Sequence, residues 1–196
     1  SSIEFLLNNE LITINDVNTN TTVLEYLRNF KNLKGTKEGC ASGDCGACTA
    51  VIAEVKNNTL KYKSINTCIT LMYSLHSKQL LTVEYIESKY LHPVQQSLVD
   101  NDGAQCGFCT PGFVMSMYAM LKNKIRPTES NINRYLSGNL CRCTGYRPIK
   151  EALKKLKKYK NLESDTSKVF RKLKKIKLND IVVVNNEKKF FIHQNL

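Results

Sequence analysis

Apolar positions change their period near residue 90. Before it the apolar runs are short and β-prone: Ile3-Glu4-Phe5-Leu6-Leu7 and Leu11-Ile12-Thr13-Ile14, joined by Asn8-Asn9-Glu10, predict a β-hairpin. Asn tolerates the positive φ that such a turn requires. Thr22-Val23-Leu24-Glu25 has the form of a capping box, in which hydroxyl and carboxylate satisfy the free N–H groups at a helix start. Val23, Leu24, Leu27 and Phe30 follow at helical spacing, so this helix is expected to lay its apolar side on the hairpin. Thr49 to Val55 and Thr59 to Tyr62 predict a second strand pair across Lys56-Asn57-Asn58. A short helical piece near Ile69 to Leu75 and a strand from Leu80 to Tyr85 complete a small α+β unit in which one helix crosses a mixed sheet.

Beyond residue 90 the period becomes helical. Pro93 opens a helix at its first turn, continued by Val94 to Val99 and closed by Gly103. Thr110-Pro111 reads as a cap and proline ahead of the apolar helix Gly112 to Lys122. Pro127-Thr128 starts a third helix carrying Ile132 and Leu136 and stopping near Gly138; Arg147-Pro148 leads into a fourth with Ile149, Leu153 and Leu156 along one side. Met115, Met117 and Met120 in the second of these helices read as core or interface filler. The expected architecture is α+β followed by an all-α four-helix unit, divided as 1–86, 87–160 and 161–196. In the last part a charged connector with a helix around Val169 to Leu173 precedes two strands, Ile181 to Val184 and Lys189 to Ile192, joined at Asn185-Asn186. Two strands are marginal alone, so they are expected to open a further domain that these residues do not contain.

Composition narrows the class. The 196 residues are 42% hydrophobic, enough for folded cores, and no apolar run approaches the ~18 residues of a membrane span. The start Ser1-Ser2-Ile3 shows no charged leader with an apolar stretch, so the expected location is the cytoplasm. The net charge of +12 invites a nucleic-acid reading, but twelve Lys and Arg against three acids fall between Lys150 and Lys177. Few aromatics interleave there, and a solvated helix face is the favoured account.

The chemistry lies in eight cysteines. Gly39-Cys40-Ala41-Ser42-Gly43-Asp44-Cys45-Gly46-Ala47-Cys48 packs three of them into nine residues, with Cys68 further on. Cys-x4-Cys-x2-Cys plus a distant fourth thiol is the plant-type ferredoxin spacing for a 2Fe-2S cluster. The glycines allow a backbone to curl closely round a compact inorganic core. A second set, Cys106-Gly107-Phe108-Cys109 and Cys141-Arg142-Cys143, offers two thiol pairs from different loops. Structural zinc remains open for either set, more so for the second, because paired thiols are also how zinc is held. Disulfides suit small secreted scaffolds better than this chain. His76, His92 and His193 lack metal-site spacing, and His92 ahead of Pro93 reads as a helix-entry hydrogen-bonding residue.

Two thiolate quartets in this order resemble the iron–sulfur part of the molybdenum hydroxylases, over about residues 3 to 158. The resemblance rests on Gly35-Thr36-Lys37-Glu38-Gly39-Cys40, Gly43-Asp44-Cys45-Gly46-Ala47-Cys48-Thr49, Leu91-His92-Pro93-Val94-Gln95, Gln105-Cys106-Gly107-Phe108-Cys109-Thr110-Pro111-Gly112 and Gly138-Asn139-Leu140-Cys141-Arg142-Cys143-Thr144-Gly145-Tyr146-Arg147-Pro148. Within that family, Leu91 to Gln95 and Phe113 to Met117 look most like xanthine dehydrogenases, in particular their bacterial small subunits. The resemblance implies an N-terminal ferredoxin-like β-grasp domain and a helical second domain. It implies one 2Fe-2S cluster on Cys40, Cys45, Cys48 and Cys68, and another on Cys106, Cys109, Cys141 and Cys143. Gln105 and Cys143 match positions that touch molybdopterin, which would sit on a large partner subunit. FAD would sit on a missing domain or a partner chain, within a hetero-oligomer.

No catalytic residue is expected in this chain. Its role would be to pass electrons from molybdenum through the helical-domain cluster and then the ferredoxin-like cluster toward FAD and NAD during oxidation of hypoxanthine or xanthine. Arg142, between two ligands, would stabilise the reduced cluster, or else form a surface ion pair. An aldehyde- or carbon monoxide-oxidising relative is the alternative, and a zinc-bearing nucleic-acid binder the reading from another class.

Overall fold

A computed structural model describes residues 2–16, 18–86, 90–156 and 166–176, and the backbone of 181–185 and 188–192. Strands β1 (Ser2–Leu7) and β2 (Glu10–Asn15) form the expected hairpin, with Asn8 at φ 57°. β3 (Thr49–Lys56) and β4 (Thr59–Asn66) form a second hairpin. Asn57 and Asn58 both take positive φ there, 49° and 58°, as a two-residue turn between right-twisted strands requires. With β5 (Gln79–Leu81) these make one sheet in the order β2-β1-β5-β3-β4, parallel only between β1 and β5.

β3 explains how the two halves join. Successive side chains of a strand point to opposite faces, and Thr49 to Ala53 are all buried. Ala50 and Ile52 pack with Phe5, Leu27 and Met72 on one face, beneath α1 (Val23–Glu25). Val51 and Ala53 pack on the other face with Phe113, Met117 and Leu153, from the helices that follow residue 90. Those helices are α2 (Pro93–Asp100), α3 (Thr110–Lys122), α4 (Glu129–Leu136) and α5 (Arg147–Lys155). α3 is buried all round from Gly112 to Met120, as a central helix is. Met115, Met117 and Met120 are fully enclosed. In α2, His92 forms a reciprocal cap: its Nδ1 accepts from the Val94 amide at 3.2 Å while Gln95 Oε1 accepts from the His92 amide at 2.9 Å.

Several expectations need correction. The helix after Thr22 keeps the hydroxyl half of the expected capping box, Thr22 Oγ1 accepting from the Glu25 amide, but Tyr26–Phe30 widens into a π turn closed by Lys31 N–H on Tyr26 O. The wider turn shifts the phase, and Phe30 is left 67% exposed instead of facing the hairpin. β4 runs to Asn66, past Tyr62. The helical piece shrinks to a 3₁₀ turn, Met72–Leu75, with Ile69 exposed outside it. β5 stops at Leu81 because Asn8 Oδ1 takes the Thr82 N–H, and Val83–Ile86 turns as 3₁₀ instead of continuing the strand. Cys109, not Thr110, is the N-cap of α3; Thr110 is its first residue, with a buried hydroxyl that has no partner.

The basic connector also differs from a wholly solvated face. α6 (Thr166–Lys175) buries Leu173, and Ile176 follows it, both against Leu6 behind the sheet. β6 (Ile181–Asn185) and β7 (Lys188–Ile192) pair only with each other among the described residues. Their connecting residues 186–187 lie outside the described set.

Candidate metal centres

Of the first thiol set, Cys68 follows β4, and Cys40, Cys45 and Cys48 sit on the loop between the π turn and β3. Its backbone is bent by residues at positive φ: Ala41 at 55°, Gly43 at 86° and Gly46 at 70°. That curl aims N–H groups inward. Cys40 Sγ accepts from the amides of Ser42, Asp44 and Cys45 at 3.2–3.4 Å, and Cys45 Sγ accepts from the Cys40 amide at 3.3 Å. A Cβ on Gly39 would stand 2.8 Å from Cys45 Sγ. Cys48 and Cys68 are buried, with sulfurs 3.4 Å apart. The four thiols thus form two pairs, one at the surface and one beneath it.

The second set repeats this division. Cys109 lies close enough to Cys141, and Cys143 to Cys106, for the neighbouring thiol to shift its acidity. Cys141 is buried, while Cys106 and Cys143 are exposed. Tyr146, at φ 67°, turns its hydroxyl onto the Cys141 amide at 3.0 Å, and Thr144 Oγ1 lies 3.1 Å from Cys141 Sγ.

Environment splits the thiol acidities. Hydrogen bonds from Ser42, then Cys45, lower the Cys40 pKa to about 6. Burial, reinforced by the Cys48 thiol, pushes Cys68 up to about 12. Burial and Cys141 push Cys109 up to about 12. Burial raises Cys141 too, but hydrogen bonds from Thr144 and Cys143 outweigh it and the net shift is downward. The Cys106 thiol raises Cys143.

The donor set can be tested against its two candidate occupants. A lone tetrahedral ion needs four donors that converge on one point. A 2Fe-2S cluster takes four thiolates, two on each of two irons. The first set, with amide N–H groups turned onto the Cys40 and Cys45 sulfurs and a glycine whose Cβ would crowd Cys45 Sγ, fits that group.

Other singled-out residues spread outward. Gln105 and Arg142 are exposed. Arg142 takes no part in the ion pairs among the described residues, which are Lys63–Glu54 and Lys154–Glu151. His76 is buried and accepts from the Glu4 amide at 3.1 Å, away from the thiols; His193 lies outside the described residues.

Sequence reasoning passed over the junction between the two sites. The Leu140 amide donates to the Cys45 carbonyl at 2.9 Å. Asn139, 3% exposed, donates through Nδ2 to Gly46 O at 3.0 Å and Thr49 Oγ1 at 3.1 Å, and its Oδ1 accepts from Ser116 Oγ at 2.6 Å. The available signal was the polar residue at Gly138-Asn139, next to a cysteine pair.

Two sequence families match the chain: the 2Fe-2S iron-sulfur cluster binding domain over residues 5–73 and the 2Fe-2S binding domain over residues 82–154. A xanthine dehydrogenase of Emericella nidulans is 47% identical over 154 residues, 77% of this chain and 11% of that protein. Aldehyde oxidase 1 of Oryctolagus cuniculus is also 47% identical over 154 residues, 76% of this chain and 12% of that protein. The chain therefore spans roughly a ninth of the length of these curated relatives. The solved structure of quinoline 2-oxidoreductase from Pseudomonas putida 86 superposes with a TM-score of 0.69 at 27% identity, covering 89% of this chain and 96% of that one.

Proposed function

The chain belongs to the molybdenum hydroxylase family, as its iron–sulfur part with two 2Fe-2S-binding domains, and from that premise we propose that it is the electron conduit of a xanthine dehydrogenase-like enzyme. Cys40, Cys45, Cys48 and Cys68 hold one cluster, and Cys106, Cys109, Cys141 and Cys143 the other. The domain limits are 1–86 for the ferredoxin-like β-grasp part, 87–160 for the four-helix part and 161–196 for a basic link toward an FAD domain. The observation that carries this reading is the gathering of the eight thiols into two quartets, with Cys48, Cys68 and Cys141 buried, Cys45 and Cys109 partly buried, and Cys40, Cys106 and Cys143 exposed.

A 2Fe-2S cluster supplies one-electron redox capacity at a potential set by charge, hydrogen bonds to its sulfurs and exposure. The chain's own residues do the rest. The amides of Ser42, Asp44 and Cys45 point positive dipole ends at Cys40 Sγ, which favours added negative charge there. Tyr146 and Thr144 fix the Cys141 loop. Gln105 and Cys143 contact molybdopterin on a large partner subunit, and Arg142 lies beside Cys143 in sequence. Molybdopterin and FAD are held outside these residues, in a cytoplasmic hetero-oligomer, and the hydroxylation site lies there too. The substrates proposed are hypoxanthine and xanthine.

The test is metal and spectroscopic analysis of the purified chain. The expected result is about four irons with matching sulfide and two distinguishable 2Fe-2S signals on reduction. Stoichiometric zinc without iron overturns the reading. Equal identity to a xanthine dehydrogenase and an aldehyde oxidase favours a second reading, in which the complete enzyme oxidises aldehydes. Turnover of hypoxanthine but not of aldehydes by the complete enzyme separates the two.

A further inference from the structure

The two thiol sites meet across the Leu140–Cys45 backbone bond and one buried side-chain amide. Asn139 stands two residues before Cys141, and its side chain reaches two other elements that also carry thiols. Nδ2 donates to Gly46 O and Thr49 Oγ1, on the stretch that holds Cys45 and Cys48. Oδ1 accepts from Ser116 Oγ on α3, the helix whose N-cap is Cys109. Both Nδ2 protons are used and the residue is 3% exposed. A buried amide that loses a partner carries the desolvation penalty of the freed group, so each of the three contacts resists displacement of the side chain.

Backbones close the remaining space. A Cβ on Gly112 would stand 2.2 Å from Gly46 O, and one on Gly46 would stand 2.2 Å from Gly138 O. No side chain separates the three elements there, and Asn139 occupies the point at which they converge. Resting on the cluster reading above, we infer that Asn139 is the positioning residue that fixes the separation and relative orientation of the two 2Fe-2S sites, and so sets how readily an electron passes between them. Leucine at this position would take the acceptor of Ser116 Oγ and the Nδ2 donor shared by Gly46 O and Thr49 Oγ1, which would keep only their bond to each other and the Thr49 amide. A carboxylate would turn an acceptor toward the Gly46 carbonyl. Only a side chain with donors on one branch and an acceptor on the other satisfies all three partners.

The experiment compares the full wild-type chain with N139A and S116A, each carrying its clusters. S116A leaves both Asn139 donors in place and removes only the group that pins its carbonyl. Two readouts are taken: the magnetic splitting between the two reduced centres, which varies steeply with their separation, and the rate of electron exchange between them after rapid photoreduction. N139A is expected to keep both 2Fe-2S spectra, change the splitting and slow the exchange severalfold, because electron exchange weakens steeply as two centres move apart. S116A should shift both readouts the same way by less. Unchanged splitting and exchange in variants that have only lost thermal stability would make Asn139 a structural residue and overturn the inference. Where N139A fails to retain its clusters, S116A decides by the same criterion. A wild-type chain that takes up no iron overturns the cluster reading and this inference with it, whereas intact clusters with unaltered coupling overturn the inference alone.

Discussion

The Cys45 carbonyl oxygen accepts the Leu140 amide at 2.9 Å, so the backbone of one thiol loop is bonded to the residue that precedes a thiol of the other. Gly46, next in sequence, adopts φ 70° and would place a Cβ 2.2 Å from Gly138 O. G46A combines the ~1–2 kcal/mol of a left-handed alanine with a clash against backbone that has nowhere to move. It should cost about 3 kcal/mol or more in urea unfolding and lower iron occupancy at both sites. Gly145 has a similar φ of 66° but open space around its Cβ position. G145A should cost only the conformational part, about 1–2 kcal/mol, with both spectra retained. Equal losses in the two variants would show that the contact between loops contributes nothing.

The two quartets fall in two different matched domains, residues 5–73 and 82–154, and their removal should be separable too. C68S takes away a thiol buried 3.4 Å from Cys48, and C106S takes away one paired with Cys143. Each should reduce iron from about four to about two per chain and erase one of two reduced-cluster spectra, a different one in each variant. Loss of the same spectrum in both, or of neither, would break the grouping of ligands.

Much of this arrangement was legible in the sequence, for a physical reason. Hairpin turns carry Asn at positions 8 and 57–58, where positive φ is needed, and the cysteine spacing encodes which thiols share a loop. What periodicity could not convey was which surface each element covers. Thr49 to Ala53 reads as one apolar strand, and only the fold shows that its alternate residues serve two cores. Phe30 fits a helical stripe until a π turn moves it outward. Val83 to Tyr85 have strand-forming side chains, but the ladder ends where Asn8 intercepts the Thr82 amide, a contact across more than seventy residues of chain. Asn139 is silent for a similar reason: its three partners lie at Gly46, Thr49 and Ser116, distant in sequence.

The helix that joins sheet and thiols should dominate stability. Met117 is fully enclosed in α3, among residues from the sheet and from α5. M117A should lower unfolding stability by about 2–5 kcal/mol, the transfer and cavity cost of a buried methionine. Val99, on α2, is 60% exposed, and V99A should stay within about 0.5 kcal/mol of the wild type. A small effect at Met117 would mean that the core collapses around the void and that α3 is less rigidly packed than its burial indicates.

His92 gives the fold a dependence on pH that lies outside the thiols. Its Nδ1 accepts the Val94 amide at the start of α2, which a protonated imidazole cannot do. Burial, with the Lys122 ammonium adding to it, lowers its pKa from 6.5 to about 4. Above pH 6.5 the ring is neutral in the folded and unfolded chain alike, and the full contribution of the cap is present. Between 6.5 and about 4 the unfolded chain binds a proton that the folded chain refuses, so stability falls as pH falls; below about 4 both are protonated and the contribution is gone. H92N keeps a side-chain acceptor at the N-cap without titrating in this range. Urea midpoints measured from about pH 7.5 down to about pH 5 should therefore decline more steeply for the wild type than for H92N. The thiols titrate in both proteins and cancel in the difference. Parallel declines would show that the imidazole stays neutral in the unfolded chain as well, or that Val94 finds another acceptor when His92 is charged, and either result removes His92 as the source of the acid sensitivity.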